Sequence, residues 1–292
     1  MGQERIIHAA LLGAGTVGSG VYKLVKDLEE EIISKTGARL VVDKILVRDT
    51  TKAREGIPSE LLIDRWDEIL NDPQIEIVIE VMGGIRPALT WLEEALRAGK
   101  QVVTANKDLL AEYGEQLFDA AEAGKCDLHF EAAVAGAIPI IRPLRQSLVA
   151  SELTEVMGIV NGTTNYILTQ MLENGQSYDA ALREAQRLGY AEADPAADVE
   201  GLDAGRKICI LAGLAFGKNV APDRISVEGI TKITALDAAF AAAGGMKLRL
   251  LGRAVQSENG LFVFVSPHFV PETQLLAGIG GVYNAVEICG SE

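Results

Sequence analysis

The strongest constraint on this chain is one hexapeptide, Gly13-Ala14-Gly15-Thr16-Val17-Gly18, set directly between an apolar run and a helical pattern. Ile6 to Leu12 is the apolar run. After the glycines, Val17, Val21, Leu24, Val25, Leu28 and Ile32 recur at helical spacing, with charges on the other side. A G-x-G-x-x-G in that context has a physical use. Gly13 permits a tight turn, Gly15 lets backbone approach a pyrophosphate, and Gly18 lets the helix pack against the strand. The helix start adds unbonded N–H groups and the positive end of its dipole. The bland alternative is a glycine-rich turn that holds nothing.

The alternation continues. Leu40 to Val47, Ile75 to Val81 and Gln101 to Thr104 read as strands. Pro87 opens a helix that stops at Gly99, and Ala111 to Ala123 forms another that ends at Gly124. Strands separated by helices imply an α/β fold with a Rossmann-type, doubly wound parallel sheet. The second strand of such a sheet usually ends on an acid that holds a ribose. Here Val47 is followed by Arg48, whose guanidinium suits a 2′-phosphate and favours NADP, while Asp49, one residue later, keeps NAD open. Lys107 follows Thr104-Ala105-Asn106 at a strand's carboxyl end, where open parallel sheets place ligands; it also fits a surface lysine at a helix start.

Composition narrows the function classes. The 292 residues carry 27 Lys and Arg against 41 Asp and Glu, a net charge of −14, which argues against a nucleic-acid partner. Cys126, Cys209 and Cys289 are scattered, as are His8, His129 and His268, so neither a zinc cluster nor a disulfide framework is suggested. No apolar run approaches the roughly 18 residues of a membrane span. The first residues lack a signal-peptide layout, and a cytoplasmic protein without a membrane partner is expected.

Near Phe130 the pattern changes, which places a boundary between a dinucleotide-binding domain, 1–130, and a second domain, 131–292. In the second, Leu153–Val160, Leu248–Val255 and Leu261–Val265 read as a sheet. Helices around 164–173, 178–188 and 203–216 would cover one face, an α+β layer. Asn161-Gly162-Thr163-Thr164-Asn165-Tyr166 reads as a turn with a threonine cap, which leaves its two asparagines unexplained. From Gly189 to Lys207, five carboxylates precede the lysine, and nine residues without charge follow it. A helix apolar all round is buried, so Lys207 stands at the mouth of a core helix, one face with Asp203 four residues before it. Burial would loosen the ammonium proton while the carboxylate holds the charged form, a pairing that suits a general acid/base. An ordinary exposed ion pair is the alternative.

Over essentially its whole length the chain resembles homoserine dehydrogenase. The glycine turn, Thr104-Ala105-Asn106-Lys107, Asn161 to Tyr166 and, most specifically, the Gly189 to Lys207 block carry the likeness. The resemblance implies oxidation of L-homoserine to L-aspartate 4-semialdehyde with NADP or NAD, or the reverse, in threonine and methionine synthesis. It makes Lys207 the proton donor and acceptor, with Asp203 and Lys107 beside it in catalysis and Glu192 and Asp203 on the substrate. Gly13, Gly15, Thr16, Val17, Gly18, Arg48, Lys107 and Gly189 would meet the cofactor. Glu131, Val134, Gly136 and Ile138 match the family's monovalent-cation site, which takes sodium on one carboxylate and backbone carbonyls. It also implies a homodimer formed on the open side of the second sheet. Family members continue past the point matching Glu292 into a last cofactor-contacting segment. The expectation is therefore a C-terminally truncated chain that binds dinucleotide but turns over poorly.

Overall fold

A computed structural model describes residues 4–291, and the chain divides into two compact units after Phe130.

In the first unit the strands are β1 (Arg5–Leu12), β2 (Ala38–Leu46), β3 (Leu62–Ile63), β4 (Ile75–Glu80), β5 (Gln101–Thr104) and β6 (Leu128–His129). They form one sheet in the order β3-β2-β1-β4-β5-β6, every pair parallel. Its helices are α1 (Thr16–Asp27), α2 (Glu29–Thr36), α3 (Asp67–Leu70), α4 (Ala88–Arg97) and α5 (Lys107–Gly124). Ala9 to Leu12 are fully buried, as a central strand covered on both faces must be. Leu11, Tyr22, Val42 and Ile45 pack α1 onto the sheet. The strand order reverses between β1 and β4, so the crevice where such sheets bind ligands opens at the carboxyl ends of those two strands.

Two helices differ from expectation. The pattern from Val17 to Ile32 is two helices, because Leu28 leaves helical backbone geometry between α1 and α2. α5 begins at Lys107 rather than Ala111, because the Asn106 side chain caps it by accepting the Leu109 N–H at 3.2 Å.

In the second unit β7 (Leu153–Ile159), β8 (Ser226–Val227), β9 (Met246–Ser257), β10 (Gly260–Pro271) and β11 (Ala285–Gly290) form a sheet in the order β11-β7-β9-β10-β8. All pairs are antiparallel except β10 with β8. The helices are α6 (Gly162–Asn174), α7 (Tyr178–Arg187), α8 (Ala196–Val199), α9 (Leu202–Phe216) and α10 (Ala235–Ala243). α6, α9 and α10 pack against the sheet. Gly252 of β9 lets α9 come close, since a methyl group there would lie 3.0 Å from Ile208 Cβ. Ile208 and Leu211 are fully buried, each contributing about 1.5–3 kcal/mol. β9 and β10 run longer than their apolar cores suggested, because Lys247, Gln256, Ser257, Ser266 and His268 continue the ladder with polar side chains. Among the described residues no helix is long and apolar enough to cross a membrane.

Candidate active site

At the end of β1 the chain turns through Gly13, whose φ of +102° suits glycine, and the Gly13 N–H donates to Leu46 O at 3.0 Å. α1 returns so tightly that a methyl group on Gly18 would sit 2.1 Å from Gly13 O. Gly15 is the opposite case: nothing lies within 4 Å of the place a Cβ would occupy. No side chain caps α1, so the N–H groups of its first turn, at Thr16, Val17 and Gly18, remain to meet a phosphate. Val17 is 58% exposed there. The turn therefore has both the room and the donors a pyrophosphate needs.

Beyond β2, Arg48 is exposed. The Asp49 carboxylate accepts the Thr51 hydroxyl at 2.6 Å and the Thr51 N–H at 2.9 Å, and these bonds hold it below the usual carboxylate range. It is committed to its own loop. Lys107, half-buried, is the first residue of α5.

The second unit holds a denser polar cluster. Lys207 Nζ lies 2.7 Å from Asp203 Oδ2 and donates to Val160 O at 2.8 Å. The two side chains are only 16% and 6% exposed, so the pair belongs to the interior as the apolar run after it requires. An ammonium has three N–H groups, and among the described residues two are used. Asn161, 5% exposed, uses all its hydrogen-bonding capacity. Its Nδ2 donates to Asp203 Oδ2 at 2.9 Å and Asp198 Oδ1 at 2.7 Å. Its Oδ1 accepts the Thr164 N–H at 2.9 Å and the Thr164 hydroxyl at 3.0 Å. The cap of α6 is thus asparagine, not threonine as expected. Thr163 instead donates to Tyr190 O at 2.6 Å, fixing the start of the acidic segment. The second asparagine, Asn165, donates to Ile279 O and Tyr283 O, each at 3.1 Å, and anchors the loop before β11. Cys209 in α9 is a core thiol, pushed up to about 12 by burial.

Sequence reasoning placed Lys207 and Asp203 together, and the fold does so. Glu192 is exposed and its side chain makes no hydrogen bond or ion pair among the described residues, so the carboxylate beside Asp203 is that of Asp198. Asp198 and Asn161 were missed as site residues, since nothing local shows that one amide bridges two carboxylates. Gly189 ends α7 in left-handed backbone, with φ +79°.

In the turn after β6, Glu131 accepts the N–H groups of Ile141 at 2.7 Å and Arg142 at 3.1 Å. Ala135 and Gly136 both take positive φ, and the Ile138 carbonyl accepts Ile140 N–H at 2.9 Å. Asn284 Oδ1 is buried without a partner among the described residues, on a side chain whose Nδ2 lies 3.8 Å from the place of a Gly136 Cβ. One carboxylate, the carbonyls of Val134, Gly136 and Ile138, and an unsatisfied amide oxygen suit a hard cation held by oxygen. A carboxylate oxygen and a carbonyl each keep a second lone pair.

Comparison with known proteins shows the family. Residues 13–131 match the model described as homoserine dehydrogenase, NAD binding domain, and residues 139–292 the model described as homoserine dehydrogenase. The homoserine dehydrogenase of Bacillus subtilis is 44% identical over 98% of this chain and 66% of that protein. The Mycobacterium tuberculosis enzyme is 46% identical, again over 98% of this chain and 66% of that protein. A crystal structure of a homoserine dehydrogenase from Thiobacillus denitrificans superposes with TM-score 0.92 at 43% identity, covering 98% of this chain and 67% of that one. A hyperthermophilic archaeal homoserine dehydrogenase in complex with NADPH superposes with TM-score 0.81 at 25% identity, covering 97% and 88%. This chain spans about two thirds of the length of the curated relatives it matches.

Proposed function

The chain belongs to the homoserine dehydrogenase family, and from that premise we propose that it interconverts L-homoserine and L-aspartate 4-semialdehyde. A nicotinamide dinucleotide bound at the glycine turn would supply or accept the hydride at the substrate's C4 carbon. In the reducing direction negative charge grows on the aldehyde oxygen. Lys207 meets that charge with an ammonium, then gives it a proton. The observation that carries this role is the hydrogen-bond count at Nζ: Asp203 and Val160 O take two N–H groups, which fixes the direction of the third. Asp203 orients the ammonium, and Asn161 orients Asp203.

Asp198 and Asp203, brought together by Asn161, form a negative locus suited to the substrate ammonium, and Glu192, exposed on the loop between α7 and α8, would offer the substrate a further carboxylate. Lys107 and Gly189 contribute at the nicotinamide end. NADP is the favoured cofactor, because exposed Arg48 can meet a 2′-phosphate while Asp49 is occupied by Thr51. Glu131, Val134, Gly136 and Ile138 would hold sodium, which would brace the turn after β6.

Homodimerisation through the open face of the second sheet fits its side chains. Phe262 is 52% exposed, and Arg253 lies 5.8 Å over the Phe264 ring while bonding Glu155 at 2.7 Å. A cytoplasmic location fits this chemistry.

The test is NADPH oxidation by this chain with L-aspartate 4-semialdehyde, compared with succinic semialdehyde and propionaldehyde. Preference for the amino-acid aldehyde is expected. Equal rates with all three, or faster turnover of an aldehyde without the amino group, would overturn the substrate assignment.

A further inference from the structure

At the carboxyl end of β4, beside the strand-order reversal, lies Glu80, a carboxylate with no solvent exposure. Three donors converge on it: Met82 N–H at 2.7 Å and Gly83 N–H at 3.1 Å on one oxygen, and the Thr104 hydroxyl at 2.6 Å on the other. Thr104 Oγ1 in turn accepts Asn106 N–H at 3.0 Å, and Asn106 Nδ2 donates to Gly84 O at 2.6 Å. These bonds close a ring through the loops that follow β4 and β5. A fully buried carboxylate is costly unless every lone pair it presents is met, so a position serving only packing would be better filled by an apolar side chain.

Both ends of the ring reach the proposed cofactor site. Val81 N–H donates to Leu12 O at 3.0 Å, and Met82 Cγ would lie 3.0 Å from a methyl group on Gly13. One arm therefore sets the wall of the glycine turn. On the other arm, Asn106 caps α5 and immediately precedes Lys107, whose N–H donates to Ala105 O at 3.1 Å. One buried anion thus sets the loop against Gly13 and the start of the helix that carries Lys107.

We propose that Glu80 is a positioning residue of the dinucleotide site, acting through Thr104 and Asn106 to hold the β4 and β5 loops in register for the cofactor. The proposal rests on the glycine turn being that site. Amide nitrogen cannot accept a hydrogen bond, so in Glu80→Gln the Thr104 hydroxyl loses its acceptor and must turn its proton away to take an N–H instead, and the ring loses its charged member. Thr104→Val removes the hydroxyl without changing shape, and Thr104→Ser restores it.

NADPH dissociation constants, read from nicotinamide fluorescence, and thermal midpoints would be measured for these three variants and for Val78→Ala, a truncation at a fully buried position of the same strand. Weakening of about tenfold or more is expected for Glu80→Gln and Thr104→Val, the scale seen when a supporting shell is loosened. Thr104→Ser should bind within about threefold of the parent, and Val78→Ala should lose thermal stability yet bind normally. If Glu80→Gln does not fold, Thr104→Val against Thr104→Ser decides alone. Folded Thr104→Val binding as tightly as the parent would overturn the proposal, as would a loss in Val78→Ala matching its own. Failure of the parent chain to bind NADPH or NADH at all would overturn the cofactor site and this proposal together.

Discussion

Replacing Lys207 by methionine removes the ammonium but keeps the length of the side chain, and its effect on stability measures how buried the ion pair is. Deleting one partner of a buried pair costs about 3–5 kcal/mol, because the remaining charge stays out of water. Here the partner is 6% exposed and the lysine 16%, with 2.7 Å between the charged atoms. Asp203 keeps the Asn161 N–H, which brings the expected loss to or just below the lower end of that range, about 2–3 kcal/mol. For a unit of this size that lowers the thermal midpoint by about 4–12 °C. Urea unfolding followed by circular dichroism would measure it, with an unchanged m-value as the check that the same transition is compared. A loss under about 0.5 kcal/mol is what an exposed i,i+4 pair would show, and it would refute the reasoning.

Gly15 and Gly18 should separate affinity from folding. Gly15→Ala has open space around the new methyl and should leave the thermal midpoint nearly unchanged while abolishing NADPH binding, whereas Gly18→Ala meets Gly13 O and should lower both. Asn161→Ser keeps an oxygen to cap α6 but loses both donors to the carboxylates; turnover should fall about tenfold or more with a smaller change in stability. His268 is held below its ordinary 6.5 mainly by burial, with the Ser266 carbonyl opposing. The unfolded chain therefore takes up that proton first as pH falls, so stability is lost as pH falls below about 6.5, and His268→Gln should flatten the decline in urea midpoints.

The parts of this molecule legible in sequence are those whose physics is local. The glycine turn announces itself because strand, turn and helix are contiguous, and Asp203 with Lys207 because four residues on a helix share a face. Short pieces escaped: β3 and β6 have two residues each, too few for any alternation. β11 was missed because its burial shows no clean inside–outside alternation. The start of α5 is readable in principle, since Asn106 is a good cap and Leu109 and Leu110 follow it. Asn161 is different in kind. Its two carboxylate partners lie 37 and 42 residues away, and no pattern in the sequence records that convergence. Glu80 likewise reads as one more residue of a strand until Thr104, from the neighbouring strand, is seen to donate to it.

The central claim is that the Lys207 ammonium gives the proton that completes reduction of the aldehyde. Steady-state reduction of L-aspartate 4-semialdehyde by the parent chain and by Lys207→Met, with NADPH binding measured on the same samples, tests it most directly. In Lys207→Met, kcat should fall by about a hundredfold or more while the NADPH dissociation constant stays within about twofold. A folded variant that turns over at the parent's rate would contradict it.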